Sequence, residues 1–173
     1  MDSLKPVWLL DIDGVVNALN HDSRPTRDWP AACWRSVEAE SAHQIRWPIV
    51  AAQPVLDFIW VVHKHGRAEI RWHTSWQEFA NNVSRSLGLP EFPLQPAPEF
   101  DQPVSFTWWK LPAARRVLVD EGRRLIWTDD DFTEELSRLE RRQFSDSGRA
   151  LLLCPDTMTG LRRRHLKQIE AFL

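Results

Sequence analysis

Residues 7–10 read Val-Trp-Leu-Leu and residues 125–127 read Leu-Ile-Trp, with no polar position in either run. A strand apolar on both faces has to be covered on both faces, which places it inside a mainly parallel sheet sandwiched between helices. The rest of the chain alternates in keeping with that. Residues 7–11, 69–73, 123–128 and 150–154 read as strands. Between and after them, residues 54–65, 77–87, 110–121, 133–144 and 161–172 carry apolar positions at helical spacing. Pro54 suits a first helical turn, and Gly66 and Gly88 suit helix stops. Strand-helix alternation predicts right-handed crossovers and a three-layer α/β/α, Rossmann-like fold around a central parallel sheet.

Two stretches fall outside that alternation. Residues 17–52 are polar and irregular, with Pro25, Pro30 and Pro48, and short β-ribbons are expected around 35–40 and 44–50. Residues 90–103, "PEFPLQPAPEFDQP", exclude a regular helix or a central strand because proline removes backbone donors. The 173 residues fit one domain, 1–173, with a flap-like insert at about 17–52.

Three of the strands end in polar residues: Asp11 and Asp13, Thr74 and Ser75, Asp129 and Asp130. In open α/β sheets ligands bind beyond the carboxyl ends of the strands, so a parallel sheet brings these groups to one rim. Carboxylates gathered there repel: two unit charges about 4 Å apart cost about 4 kcal/mol at an effective dielectric of about 20. Protonation or a bound cation relieves the repulsion. Hard oxygen ligands favour Mg²⁺, which keeps waters and recruits phosphate, and no His or Cys cluster supports zinc. With a hydroxyl and a lysine added, such a rim can bind a phosphate. One aspartate can attack phosphorus while a second carboxyl protonates the leaving oxygen and then activates water. The Asp-x-Asp spacing supplies both, because alternate residues of a strand point to the same side.

The order "LLDIDGVV", "IRWHTS", "WWKLP", "LIWTDDD" resembles the four motifs of the haloacid dehalogenase (HAD) superfamily, over residues 7–131. With "LLLCPDTMTGLRRRHLKQIEAFL" further on, the chain is similar to the HAD domains linked to Swiss Army Knife RNA repair proteins. The resemblance implies residue roles. Asp11 is the nucleophile and a Mg²⁺ ligand. Asp13 is the general acid/base, its backbone carbonyl also binding metal. Thr74 is the second-motif hydroxyl, with Ser75 as its substitute. Lys110 is the third-motif lysine, with Lys64 as a poorer substitute. Asp129 and Asp130 are the acidic pair that holds Mg²⁺, while Asp131 reads as a helix-start residue. The acid at position 13 implies a phosphatase rather than a dehalogenase. The motif spacing implies a capless or minimally capped HAD fold, because the first inter-motif gap leaves room only for a flap.

The expected activity is therefore a Mg²⁺-dependent phosphohydrolase acting through an aspartyl-phosphate, with phosphorylated RNA or DNA ends as the substrate class the resemblance implies. Trp29, Trp34, Trp47, Trp76, Phe100, Phe106, Trp108 and Trp109 are candidate stacking surfaces for bases, although most tryptophans are expected in the core. The alternatives are a small-molecule or nucleotide phosphomonoesterase and a non-catalytic binding module on a HAD-like scaffold. A phosphoacceptor receiver domain places its acidic pair before the acceptor Asp, whereas here the pair comes last. An Asp-x-Asp glycosyltransferase needs a nucleotide-sugar pocket and a larger chain.

Net charge is −2, which gives no general basic field of the kind many nucleic-acid binders carry, and the arginine clusters read as solvated helix faces. Neither a signal peptide nor a membrane span is evident near the N-terminus. Cys33 and Cys154 have no metal or redox spacing and suggest buried free thiols in a reducing, cytoplasmic setting.

Overall fold

Strand β1 (Val7–Leu10) is central in a parallel sheet ordered β4-β1-β5-β6, with β4 at Glu69–Trp72, β5 at Leu125–Thr128 and β6 at Ala150–Leu153. The computed structural model describes residues 4–20, 28–96, 109–132 and 136–173. Its helices are α1 (Gln53–Lys64), α2 (Ala80–Leu87), α3 (Lys110–Val119), α4 (Arg138–Asp146) and α5 (Arg163–Phe172). The two remaining strands, β2 (Trp34–Glu40) and β3 (Arg46–Ala52), form a separate antiparallel hairpin.

The fully apolar β1 is used on both faces, as its sequence requires. Trp8 and Leu10 enter one core with Val55, Leu56, Ile59 and Val62 of α1, Val83 of α2 and Ile169 of α5. Val7 and Leu9 enter the other with Leu111, Ala114 and Val117 of α3 and Phe144 of α4. These are helical layers on either side of one sheet. Trp127 packs edge-on against Phe132 and Phe144, with centroids 4.7 and 5.8 Å away. Among the described residues no helix is long and apolar enough to cross a membrane.

Element ends differ from the sequence expectation where local chemistry intervenes. Helix α4 begins at Arg138 rather than near residue 133. Ser137 is extended and closes a capping box with Glu140, which starts a new helix there; residues 133–135 lie outside the described residues. The 77–87 helix opens as a short 3₁₀ turn, Gln77–Phe79, and Gly88, with φ of 74°, ends it as anticipated. Residues 90–96 meet the sheet at its edge: Trp72 N–H donates to the Pro93 carbonyl (2.9 Å) and Gln95 N–H to the Trp72 carbonyl (2.8 Å). Residues 97–103 lie outside the described residues.

The arginines are not all solvated. Arg71 pairs with both oxygens of Glu121 (2.7 and 2.8 Å) and with Glu69 (2.7 Å), while Arg123 reaches Glu69 (2.6 Å) and the Lys5 carbonyl. These pairs tie the amino ends of the strands to the end of α3. Neither cysteine is in a disulfide, as expected, and both are half-buried rather than buried.

Trp8 is fully buried, and its indole N–H donates to Thr128 Oγ1 at 3.1 Å, linking β1 to β5. Trp8→Ala is expected to lower stability by about 3–5 kcal/mol, measured by urea unfolding.

Candidate active site

The sheet order makes a crevice at one place. From β1 the chain goes first to β4 on one side and later crosses through α3 to β5 on the other, so β1 lies at the point where strand order reverses. Backbone bonds carry the ladder past the strand ends at that rim. Asp11 N–H donates to the Thr128 carbonyl (3.2 Å), His73 N–H to Leu10 (2.9 Å) and Asp129 N–H to Leu153 (3.1 Å). Asp11, Thr74 and Asp129 thereby leave three adjacent strands side by side, and all three are buried.

Lys110, the first residue of α3, joins them. Its Nζ donates to Asp11 Oδ2 and, at 2.7 Å, to Asp129 Oδ2. Asp11 also accepts from the Thr74 hydroxyl and, through Oδ1, from the Ile12 N–H at 2.7 Å. His73 holds the start of α3: its Nε2 bonds the Lys110 carbonyl at 3.0 Å, and its ring packs on Trp109 and Trp127. Burial and the nearby Lys110 charge lower the His73 pKa to about 3, so the ring is neutral and Nε2–H is the donor. In the sequence, the signal for His73 is its position beside Thr74.

The third carboxylate, Asp130, is set by two residues that the sequence reading did not connect to it. Thr157, in the turn after β6, donates to Asp130 Oδ2 at 2.6 Å. Gly14 lies so close that a Cβ there would be 2.0 Å from Asp130 Oδ2, and its φ is 67°. Gly14 therefore provides room for a carboxylate as well as a turn. Ligand oxygens of Asp11, Asp129 and Asp130 lie within 4.8 Å of one another.

The charges are unbalanced. Burial raises the Asp11 pKa, with Lys110 offsetting part of the effect. Burial and the Asp11 charge raise Asp129 to about 8. Burial also raises Asp130, against the Thr157 hydrogen bond. Burial opposes the Lys110 charge, but Asp11 and Asp129 outweigh it and hold the ammonium protonated. Among the described residues Lys110 is the one cation bonded to this cluster of three carboxylates, and all the donors are hard oxygens. That set fits a small divalent cation such as Mg²⁺.

Asp13 stands apart from this cluster. Strand β1 stops at Leu10, so the same-side rule for alternate strand residues does not carry from Asp11 to Asp13, and the two carboxylates have separate partners. Asp13 Oδ1 accepts from Asn17 Nδ2 (2.7 Å) and Oδ2 from the Trp76 indole N–H (2.8 Å). Asn17 Oδ1 in turn accepts from Val50 N–H at 2.8 Å, which ties this loop to the hairpin. Half-buried Asp13 borders a cleft of about 570 Å³ between the hairpin and the loop after β4.

The substitute residues fall away. Ser75 is exposed on the cleft wall, and Lys64 sits over the Trp60 ring at 5.0 Å, outside the site. Asp131 is exposed and its side chain is not in the cluster, while its N–H donates to Asp129 Oδ1 at 3.1 Å. Of the proposed stacking residues, Trp29 is buried, with its N–H on the Leu161 carbonyl, so it is not a free surface. Trp34 packs against the core and Trp109 on His73. Trp47 and Trp76 line the cleft. Phe100, Phe106 and Trp108 lie outside the described residues. Comparison with protein-family models, curated proteins and solved structures returns no match.

Two outcomes are expected. Asp129 keeps a proton in the folded chain up to about pH 8 that the unfolded chain loses near pH 4. Without metal, this group therefore lowers stability as pH rises from about 4 to about 8. Asp129→Asn, which keeps an acceptor for Lys110, should raise the metal-free melting temperature at pH 8 by a few degrees, each kcal/mol being worth roughly 2–4 °C. It should also remove a Mg²⁺-induced thermal shift that in the wild type is larger at pH 8 than at pH 5.5. Separately, Gly14→Ala should displace Asp130 and weaken Mg²⁺ binding measured by calorimetry at least about 10-fold, with roughly 1–3 kcal/mol of backbone strain in unfolding.

Proposed function

We propose that the chain is a Mg²⁺-dependent phosphohydrolase that works through an aspartyl-phosphate on Asp11. The observation that carries this reading is Lys110 bonded to both Asp11 and Asp129, with the Thr74 hydroxyl on Asp11. These are groups from four separate chain segments at one rim. Their order along the chain also supports the resemblance to the HAD superfamily.

The chemistry follows from the residues. The Asp11 carboxylate attacks phosphorus as the bond to the leaving oxygen breaks, and Asp13 gives that oxygen its proton. Asp13 then takes a proton from water, which attacks the phosphoaspartate, releases inorganic phosphate and restores Asp11. Lys110 and Thr74 offset and hydrogen-bond the charge on the non-bridging oxygens. A Mg²⁺ held by Asp11, Asp129 and Asp130 would supply further positive charge for the phosphate. Lys110 offsets part of the burial that raises the Asp11 pKa, and an ion held there would favour the carboxylate further. Asp13, on the cleft side, is where a leaving group would enter.

Phosphorylated RNA or DNA ends are the substrate class in this reading, in a cytoplasmic setting compatible with cysteines that form no disulfide. The β2–β3 hairpin at the cleft serves as the small flap of a minimally capped site. The cleft's size favours a mononucleotide as the second substrate, since pockets of about 300–1,000 Å³ enclose small molecules.

Asp11→Asn should reduce Mg²⁺-dependent phosphate release from an aryl phosphate by at least about 1,000-fold; wild-type rates in that variant would exclude Asp11 as the nucleophile. Oligonucleotides phosphorylated at either end, assayed beside mononucleotides, test the substrate class. Turnover of mononucleotides alone would remove the nucleic-acid reading.

A further inference from the structure

The cleft beside Asp13 has a chemistry of its own. One wall is the hairpin, where Trp47 is 52% exposed yet tethered, its indole N–H donating to Ser41 Oγ at 2.9 Å. Facing this wall are Trp76 and Phe79 from the loop after β4. Trp76 is buried and its N–H is committed to Asp13. Among the described lining residues there is no lysine or arginine, and Asp13 is the one charged side chain. A groove that tracks a phosphate backbone relies on such cations. A cleft with aromatic walls, a few hydroxyls and a volume of about 570 Å³ instead suits one flat, uncharged ring system.

Asp13 borders this cleft, and the phosphohydrolase reading gives it the proton for the leaving oxygen. If it protonates the leaving oxygen, the group attached to that oxygen extends into the aromatic cleft. We propose that this cleft is the leaving-group subsite and that it takes a single nucleobase, stacked on Trp47; this rests on the phosphohydrolase reading above. Asn17 already bonds Asp13 through Nδ2 and Val50 through Oδ1. The Ser41 hydroxyl accepts from Trp47 and faces the Ile45 carbonyl at 3.3 Å. Few groups therefore remain to read a base edge, and the subsite accepts purines and pyrimidines alike, since every base presents a stacking face. The base belongs either to a free nucleotide or to the terminal nucleotide of a strand.

The test uses Trp47→Ala, with Trp60→Ala as control, because Trp60 is a comparably exposed tryptophan on α1 outside the cleft. The kcat/KM for adenosine and uridine monophosphates is compared with that for ribose 5-phosphate, which has the sugar and phosphate but no base. The wild type should prefer both nucleotides by about 10-fold or more. Trp47→Ala should remove that preference while ribose 5-phosphate turnover and the Trp60→Ala enzyme stay unchanged. An equal loss on all substrates, or no preference in the wild type, would overturn the subsite. The same penalty is expected on a phosphorylated oligonucleotide, and the faster of oligonucleotide and mononucleotide names the source of the base. If the wild type releases phosphate from none of these, the phosphohydrolase reading fails. Quenching of tryptophan fluorescence by adenosine then decides the cleft: quenching lost in Trp47→Ala supports it, and no quenching in the wild type overturns it.

Discussion

The contact of Lys110 with Asp11 and Asp129 is the constraint on which the site depends. A buried ammonium needs carboxylate partners, and buried carboxylates need a cation. Lys110 can reach both acids only if β1 and β5 are neighbours and α3 begins at their shared rim. His73 supports that start by bonding the Lys110 carbonyl. Sheet order, helix placement and one neutral histidine thus converge on a single charge. That charge is too small for its surroundings, since Asp130 adds a third carboxylate to the cluster. The imbalance leaves the three carboxylates able to accept a further cation, and the proposed Mg²⁺-dependent chemistry rests on that.

The two apolar cores allow such a rim to exist. Trp8 and Leu10 on one face and Val7 and Leu9 on the other anchor β1 over its whole length, so the polar residues beyond Leu10 need not contribute to folding. Closeness is then managed locally. Gly14 leaves room for Asp130, Thr157 fixes its orientation, and Asn17 with Trp76 holds Asp13 at the cleft. The hairpin supplies an aromatic wall to the cleft beside Asp13.

Strands and helices were legible because their signals are local: doubly apolar strands, helical periodicity and glycine stops at 66 and 88. The hairpin at 34–52 was legible only in outline. The start of α4 at Arg138 depends on a capping box that breaks an otherwise continuous helical pattern. For the site, the strand-end residues Asp11, Thr74 and Asp129 were readable, because topology alone brings strand ends together. Lys110 was readable only through motif order, since 99 residues separate it from Asp11. Thr157 and Trp76 were not assigned their roles at all. Each acts through one hydrogen bond across the fold, and neither spacing nor periodicity records such a bond. Arg123 was misread as solvated because a surface charge run and a clamp at the sheet edge look alike in sequence.

The most direct measurement is to quench the wild-type protein in acid during turnover of a phosphomonoester with Mg²⁺ and to map the phosphoryl group by mass spectrometry. The expected result is a hydroxylamine-sensitive adduct on the peptide containing Asp11, absent when Lys110 is replaced by methionine. A phosphoryl group on another residue, or steady turnover with no covalent adduct, would contradict the assignment of Asp11 as the attacking group.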